Sequence, residues 1–211
     1  IGFSKMSRKG YSRRRIGNRR PYQILVIVCE GQKTERNYFN NYRWQKNGLW
    51  IKTPNSRVTD PINLVKFAKG QLRGLDIGEG DQVWCVFDTD HHTTQEIQQA
   101  KRLAGEDINI CLSNPSFELW YLLHFLYYDS RISNHDLIHK LREHIPNYSK
   151  NENYFSQLLE KRQDAINHAK RLNQLHERNH VELLSTNSNP STQVFKLVEY
   201  ILETIRRNQA N

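Results

Sequence analysis

The stretch QILVIVCEG, Gln23–Gly31, decides the architecture. A strand with one wet face alternates apolar and polar residues, but this run is apolar at both parities. Such a strand is buried on both faces, which is the mark of a parallel sheet sandwiched between helices. Pro21 and Gly31 bound it. Downstream, TERNYFNNYRWQ has helical spacing and turns Tyr38, Tyr42 and Phe39 inward. A short strand falls near Leu49–Thr53, and Asp60-Pro61 supplies an N-cap and a first-turn proline for a helix reaching Leu72. QVWCVFD is the next buried strand. Thr93 or Thr94 caps a helix through Ala104, and INICLSN, Ile108–Asn114, is a further strand.

Beyond it, Asn114-Pro115 opens SFELWYLLHFLYY, a helix apolar nearly all round and therefore buried. A second Asn-Pro, Asn189-Pro190, precedes the last helix. There Val194, Leu197, Val198, Ile201, Leu202 and Ile205 form one stripe suited to core packing. The alternation predicts an α/β fold: a mostly parallel sheet of about four strands flanked by helices, with a helical C-terminal lobe. The chain divides into a basic flexible arm (1–22), a core (23–129), a charged helical lobe or insertion (130–185) and a C-terminal helix packed on the core (186–211).

The 211 residues carry a formal charge of +9, and it is unevenly spread. Residues 1–22 hold eight basic side chains and no acid, which leaves 23 basic against 22 acidic groups in everything that follows. Arg13, Arg14, Arg15, Arg19 and Arg20 make the arm a candidate for binding a polyphosphate backbone; its alternatives are a solvated tail or a ribosome or membrane-surface contact. Ile1–Lys5, ahead of Met6, read as an expression remnant. No apolar run approaches the roughly 20 residues of a membrane helix, and no apolar leader precedes the first strand, so a cytoplasmic protein is expected. Cys29, Cys85 and Cys111 sit inside strand-like runs and read as reduced core thiols.

In sheets of this kind ligands collect beyond the carboxyl ends of the strands, and acids cluster there. Glu30 ends one strand; Asp88 and Asp90, at i and i+2, end another and point to one side if the backbone stays extended. Carboxylates so close repel each other unless a divalent cation neutralises them, and hard oxygen ligands suit Mg2+ or Mn2+. The competing reading is turn formation and helix capping. Glu35 and Glu118, each in a first helical turn, join the candidate ligands or merely complement a helix dipole. Lys33 is placed to neutralise charge developing on a phosphate, or is an exposed loop lysine. His91 and His92 contact phosphate or cap the next helix.

Taken together, ILVIVCEGQKTERNYF, VWCVFDTDHH, SNPSFELWYLLHF and NPSTQVFKLVE resemble the RloB family, Toprim-like proteins encoded beside bacterial restriction and abortive-infection loci. A strand ending in Glu-Gly and another in Asp-x-Asp is the Toprim signature of primases, topoisomerases and related nucleases. The resemblance spans about Gln23 to Glu203, more weakly between Ser130 and Ser185. It implies a Toprim-like core in which Glu30 binds metal and takes part in acid–base chemistry, Asp88 and Asp90 are metal ligands, and Glu35 helps hold a metal as in OLD-type nucleases. Glu118 falls in the family's Phe-Glu-x-Trp element. An ATPase of the ABC or AAA type is the implied partner.

Two functions follow as expectations. One is a Mg2+- or Mn2+-dependent nuclease acting on DNA or tRNA in anti-phage defence. The other is a non-catalytic module that binds nucleic acid or a partner. A primase is a third reading, but it lacks a zinc motif and a P-loop here.

Overall fold

The computed structural model describes residues 22–44, 48–74, 78 and 80–210. The arginines of the arm, Arg13, Arg14, Arg15, Arg19 and Arg20, lie outside the described residues. Five strands form one sheet: β1 (Gln23–Cys29), β2 (Leu49–Lys52), β3 (Gln82–Asp88), β4 (Asn109–Asn114) and β5 (Ser191–Thr192), in the order β2-β1-β3-β4-β5. All neighbours are parallel except β4 and β5. The short β5, which follows Asn189-Pro190, adds an antiparallel edge to the predicted parallel strands.

Parity along the strands explains why they are apolar throughout. Leu25, Ile27 and Cys29 of β1, with Trp84 and Val86 of β3, face one core; Ile24, Val26, Val28, Val83, Cys85 and Phe87 face another. The second core is closed by α2 (Pro61–Arg73) and α3 (Thr94–Ala104) through Leu64, Val65, Ala68, Ile97 and Ala100. The first is closed by α1 (Thr34–Asn40), α4 (Glu118–Leu123) and α8 (Val194–Gln209). This division follows from chain direction. A right-handed crossover from β1 to β2 moves one way along the sheet, and those to β3 and β4 move the other way. The helices therefore land on opposite faces.

Segment 130–185 is helical, with α5 (Asn134–Arg142), α6 (Phe155–Leu158) and α7 (Arg162–Arg178). Its Leu137, Leu141, Phe155, Ile166 and Leu172 join the same core as α4 and α8. α4 is shorter than its apolar run predicts. His124 Nδ1 bonds the Trp120 carbonyl at 2.8 Å, and the His124 amide turns back to Tyr121 instead, which tightens and ends the helix. All six α4 residues are buried, as the all-round apolar pattern requires.

The helix starts are set locally. Asp60 accepts the Asn63 amide at 2.8 Å with Pro61 at N1, and Thr93 forms a capping box with Glu96. The cap of α3 is thus Thr93, and neither His91 nor His92 serves as one. Cys29, Cys85 and Cys111 are free and buried. Among the described residues no helix is long and apolar enough to cross a membrane.

Candidate active site

The strand order reverses between β1 and β3, and in open α/β sheets ligands bind in the crevice at such a point. A cleft of about 340 Å³ opens there. Glu30, Glu35, Asp88, Asp90 and Glu118 line it, with Lys33, His91, His92, Thr59 and Lys150. All the acids singled out in the sequence therefore meet at one place.

They do not meet in the way an extended strand end would bring them. The ladder pairs Cys29 with Val86, so Glu30 continues level with Phe87 and starts on the face opposite Asp88. It reaches round the sheet end: Glu30 Oε2 accepts the Asp88 amide at 3.3 Å, and Glu30 Oε1 lies 3.0 Å from His92 Nε2. Nor are Asp88 and Asp90 a co-directional pair. β3 stops at Asp88, and the chain then turns, with the His92 amide on the Thr89 carbonyl at 3.1 Å. Asp90 is left at the rim, 3.4 Å from His91, while Thr89 is buried against the Pro115 carbonyl.

α1 and α4 deliver the remaining acids from one side. Glu35 is buried, and its Oε1 accepts the Gly31 amide at 3.2 Å. A Cβ on Gly31 would collide with that carboxylate, so the glycine leaves Glu35 the room to sit where it does. Glu118 is only 1% exposed; its Oε1 receives Tyr148 Oη at 2.9 Å and stands 3.4 Å from Lys150 Nζ. Both glutamates are buried in the first turns of their helices, Glu35 in α1 and Glu118 in α4. Lys33 is exposed at the N-cap of α1, on the cleft wall.

Crowding leaves its mark on protonation. Asp88 is held well above the usual carboxylate range by burial, then by the charges of Glu35 and Glu118. Glu35 is pushed up to about 7, by burial first, with Glu118 and Glu30 adding to it and Lys150 offsetting part. His92 is raised, chiefly by its hydrogen bond to Glu30.

Two buried carboxylate oxygens, Asp88 Oδ1 and Glu118 Oε2, have no hydrogen-bond partner among the described residues. Orphaned acceptors on an open acidic wall fit a hard cation. Among the described residues, however, no three His, Cys, Asp or Glu side chains stand at metal-ligand spacing. The donor set therefore suits an ion bound through one or two carboxylates with water or phosphate completing its shell, the habit of Mg2+. Asp88 with Glu118, Glu35 or Glu30 would hold it.

These shifts predict an unusual pH profile. The folded state takes up a proton on Glu35 below about 7, whereas the unfolded chain does so near 4.5. Between those values the native state binds more protons, so stability falls as pH rises. The raised pKa of His92 acts in the same direction, its stabilisation being lost as pH rises through the folded value. In EDTA the melting temperature should be several degrees higher at pH 5.5 than at pH 8, reflecting about 2 kcal/mol from Glu35. Mg2+ should narrow the gap by stabilising the pH 8 form, as thermal unfolding at the two pH values would show.

Lys150, which lines the cleft, and Tyr148, which donates to Glu118, are absent from the sequence reading. They lie in IPNYSKNENYF between α5 and α6, a polar loop with nothing to set its lysine apart.

The model of the RloB-like protein family matches residues 25–201. The chain belongs to the RloB-like family. That match runs from within β1 into α8, so β2 to β5, most of β1 and every acid of the cleft fall within it. No curated protein and no solved structure matches significantly.

Proposed function

We propose that the chain is a Toprim-type, Mg2+- or Mn2+-dependent nuclease that hydrolyses phosphodiester bonds of DNA or RNA, tRNA included. Its setting would be the cytoplasm, in bacterial anti-phage defence, under the control of an ABC- or AAA-type ATPase. One observation carries this reading: carboxylates from β1, β3, α1 and α4 share one cleft, where two buried acid oxygens lack partners. When bound, the divalent cation supplies Lewis acidity toward a phosphate and a nucleophile at neutral pH.

The chain's own groups do the rest. The Asp88 amide and His92 fix Glu30 in one orientation, from which it can take or return a proton. Lys33, free at the rim, neutralises charge developing on the phosphate. The eight basic residues of 1–22 would add affinity independent of sequence and strongly weakened by salt. In a direct test, the purified chain should cut plasmid DNA or total tRNA with Mg2+ or Mn2+, and EDTA should stop it. Cleavage undiminished in EDTA would refute the assignment.

A second reading, a non-catalytic module binding nucleic acid or a partner, draws support from a separate feature. Glu118 already has Lys150 as counter-ion, and no three-ligand metal cage is preformed among the described residues. Loss of metal-dependent cleavage across both substrates, with nucleic-acid binding retained, would favour it.

A further inference from the structure

Lys150 is a cation brought to the acids from a part of the chain remote in sequence. The backbone around it is pinned to α1: Thr34 Oγ1 donates to the Lys150 carbonyl and Asn37 Nδ2 to the Asn151 carbonyl, each at 3.5 Å. Asn41 and Asn153 exchange side-chain hydrogen bonds at 3.2 Å, and the Ser149 amide donates to Tyr154 Oη at 2.9 Å. The loop is thus fixed, but the lysine head is not. Its side chain is 61% exposed, whereas that of its partner Glu118 is 1% exposed. Besides Glu118, both Asp88 and Glu35 act on the ammonium electrostatically. Its charge therefore bears on the carboxylates that a divalent ion would use.

We propose that Lys150 is the resident counter-ion of this cleft, and that its charge beside Glu118 Oε1 competes with a divalent cation for these carboxylates, so that Lys150 sets how tightly the cation binds. This rests on reading the cleft as a divalent-cation site, and it makes Lys150 a positioning residue for that site. The physical basis is competition. One largely exposed ammonium on a buried carboxylate is a modest interaction, weak enough to leave the unpartnered oxygens open to a doubly charged ion yet strong enough to weaken its binding. The flexible stem lets the ammonium move toward solvent as a cation binds, while the loop stays docked.

The test is calorimetric titration of Mn2+ into the full chain, as wild type, Lys150→Met and Lys150→Arg. Met removes the charge and keeps the apolar stem; Lys150→Gln serves in its place if Met impairs folding by circular dichroism. The neutral variant should bind Mn2+ roughly fivefold to tenfold more tightly, and Lys150→Arg should match wild type. Equal or weaker binding by the neutral variant, with the wild type still binding Mn2+, overturns the role of Lys150 alone. Absence of Mn2+ binding in all three chains overturns this inference together with the metal reading beneath it.

Discussion

Asp88→Asn should abolish divalent-dependent cleavage, by about a thousandfold or more, while making the folded protein more stable. The two effects come from one cause. Asp88 ends β3 with Oδ1 sealed from solvent and without a partner, and its ionisation is opposed by burial and by Glu35 and Glu118. Asparagine keeps the shape, removes the charge to which a cation would bind, and adds an amide donor beside a neighbouring acid, Glu118, that has one unpartnered oxygen. A thousandfold loss corresponds to about 4 kcal/mol of transition-state stabilisation, within what a metal supplies to a phosphoryl centre. The stability gain should be about 1–2 kcal/mol near pH 8, the cost of an unsatisfied buried acid. Activity assays alongside urea unfolding would check both. Cleavage within tenfold of wild type, or lost activity that tracks unfolding, would contradict the assignment.

Tyr38→Ala should cost about 3–5 kcal/mol of stability, the largest loss anticipated for one side chain here. Tyr38 is 1% exposed, and its ring centroid lies 5.3–6.3 Å from those of Phe39, Tyr42, Phe117, Trp120, Tyr121 and Phe155. Those rings come from α1 and the 3-10 turn that follows it, from the segment that leads into α4, from α4 itself and from α6. The aromatic cluster is therefore what fixes α1, carrying Glu35, against α4, carrying Glu118. Truncation leaves a cavity at that joint, so activity should fall even where the fold survives. Tyr38→Phe removes only the hydroxyl, whose contact with Tyr42 Oη is long at 3.4 Å, and should cost about 1 kcal/mol or less. Chemical denaturation of both variants decides the matter: a loss below about 1 kcal/mol for Tyr38→Ala would show that the helices are held elsewhere.

How much of this was legible in the sequence depends on how local each cause is. β1, β3 and most of β4 are written as apolar runs because both faces of the sheet are covered, and Asp60-Pro61 and Thr93 mark helix starts by their own chemistry. β5 is not legible. Ser191 and Thr192 are polar and only two residues long, and they pair because β4 is already there, Thr192 Oγ1 meeting Ser113 Oγ at 2.9 Å. Likewise the convergence of Glu30, Glu35, Asp88 and Glu118 could be read from acids at strand ends and first helical turns. The arrangement within the cluster could not. Register puts Glu30 and Asp88 on opposite faces, the turn after Asp88 carries Asp90 to the rim, and His92 closes on Glu30. Lys150 is the extreme case, since its position depends on a loop docking on α1 more than a hundred residues away, |i−j| being 116 for its contact with Thr34.

Crystals of the full chain grown with Mn2+ and measured near the manganese absorption edge would test the shared-cation claim most directly. An anomalous peak is predicted in the cleft, about 2.2 Å from an oxygen of Asp88 and from at least one of Glu30, Glu35 or Glu118. A map from Mn2+ concentrations that support cleavage, with no peak touching Asp88, would contradict it.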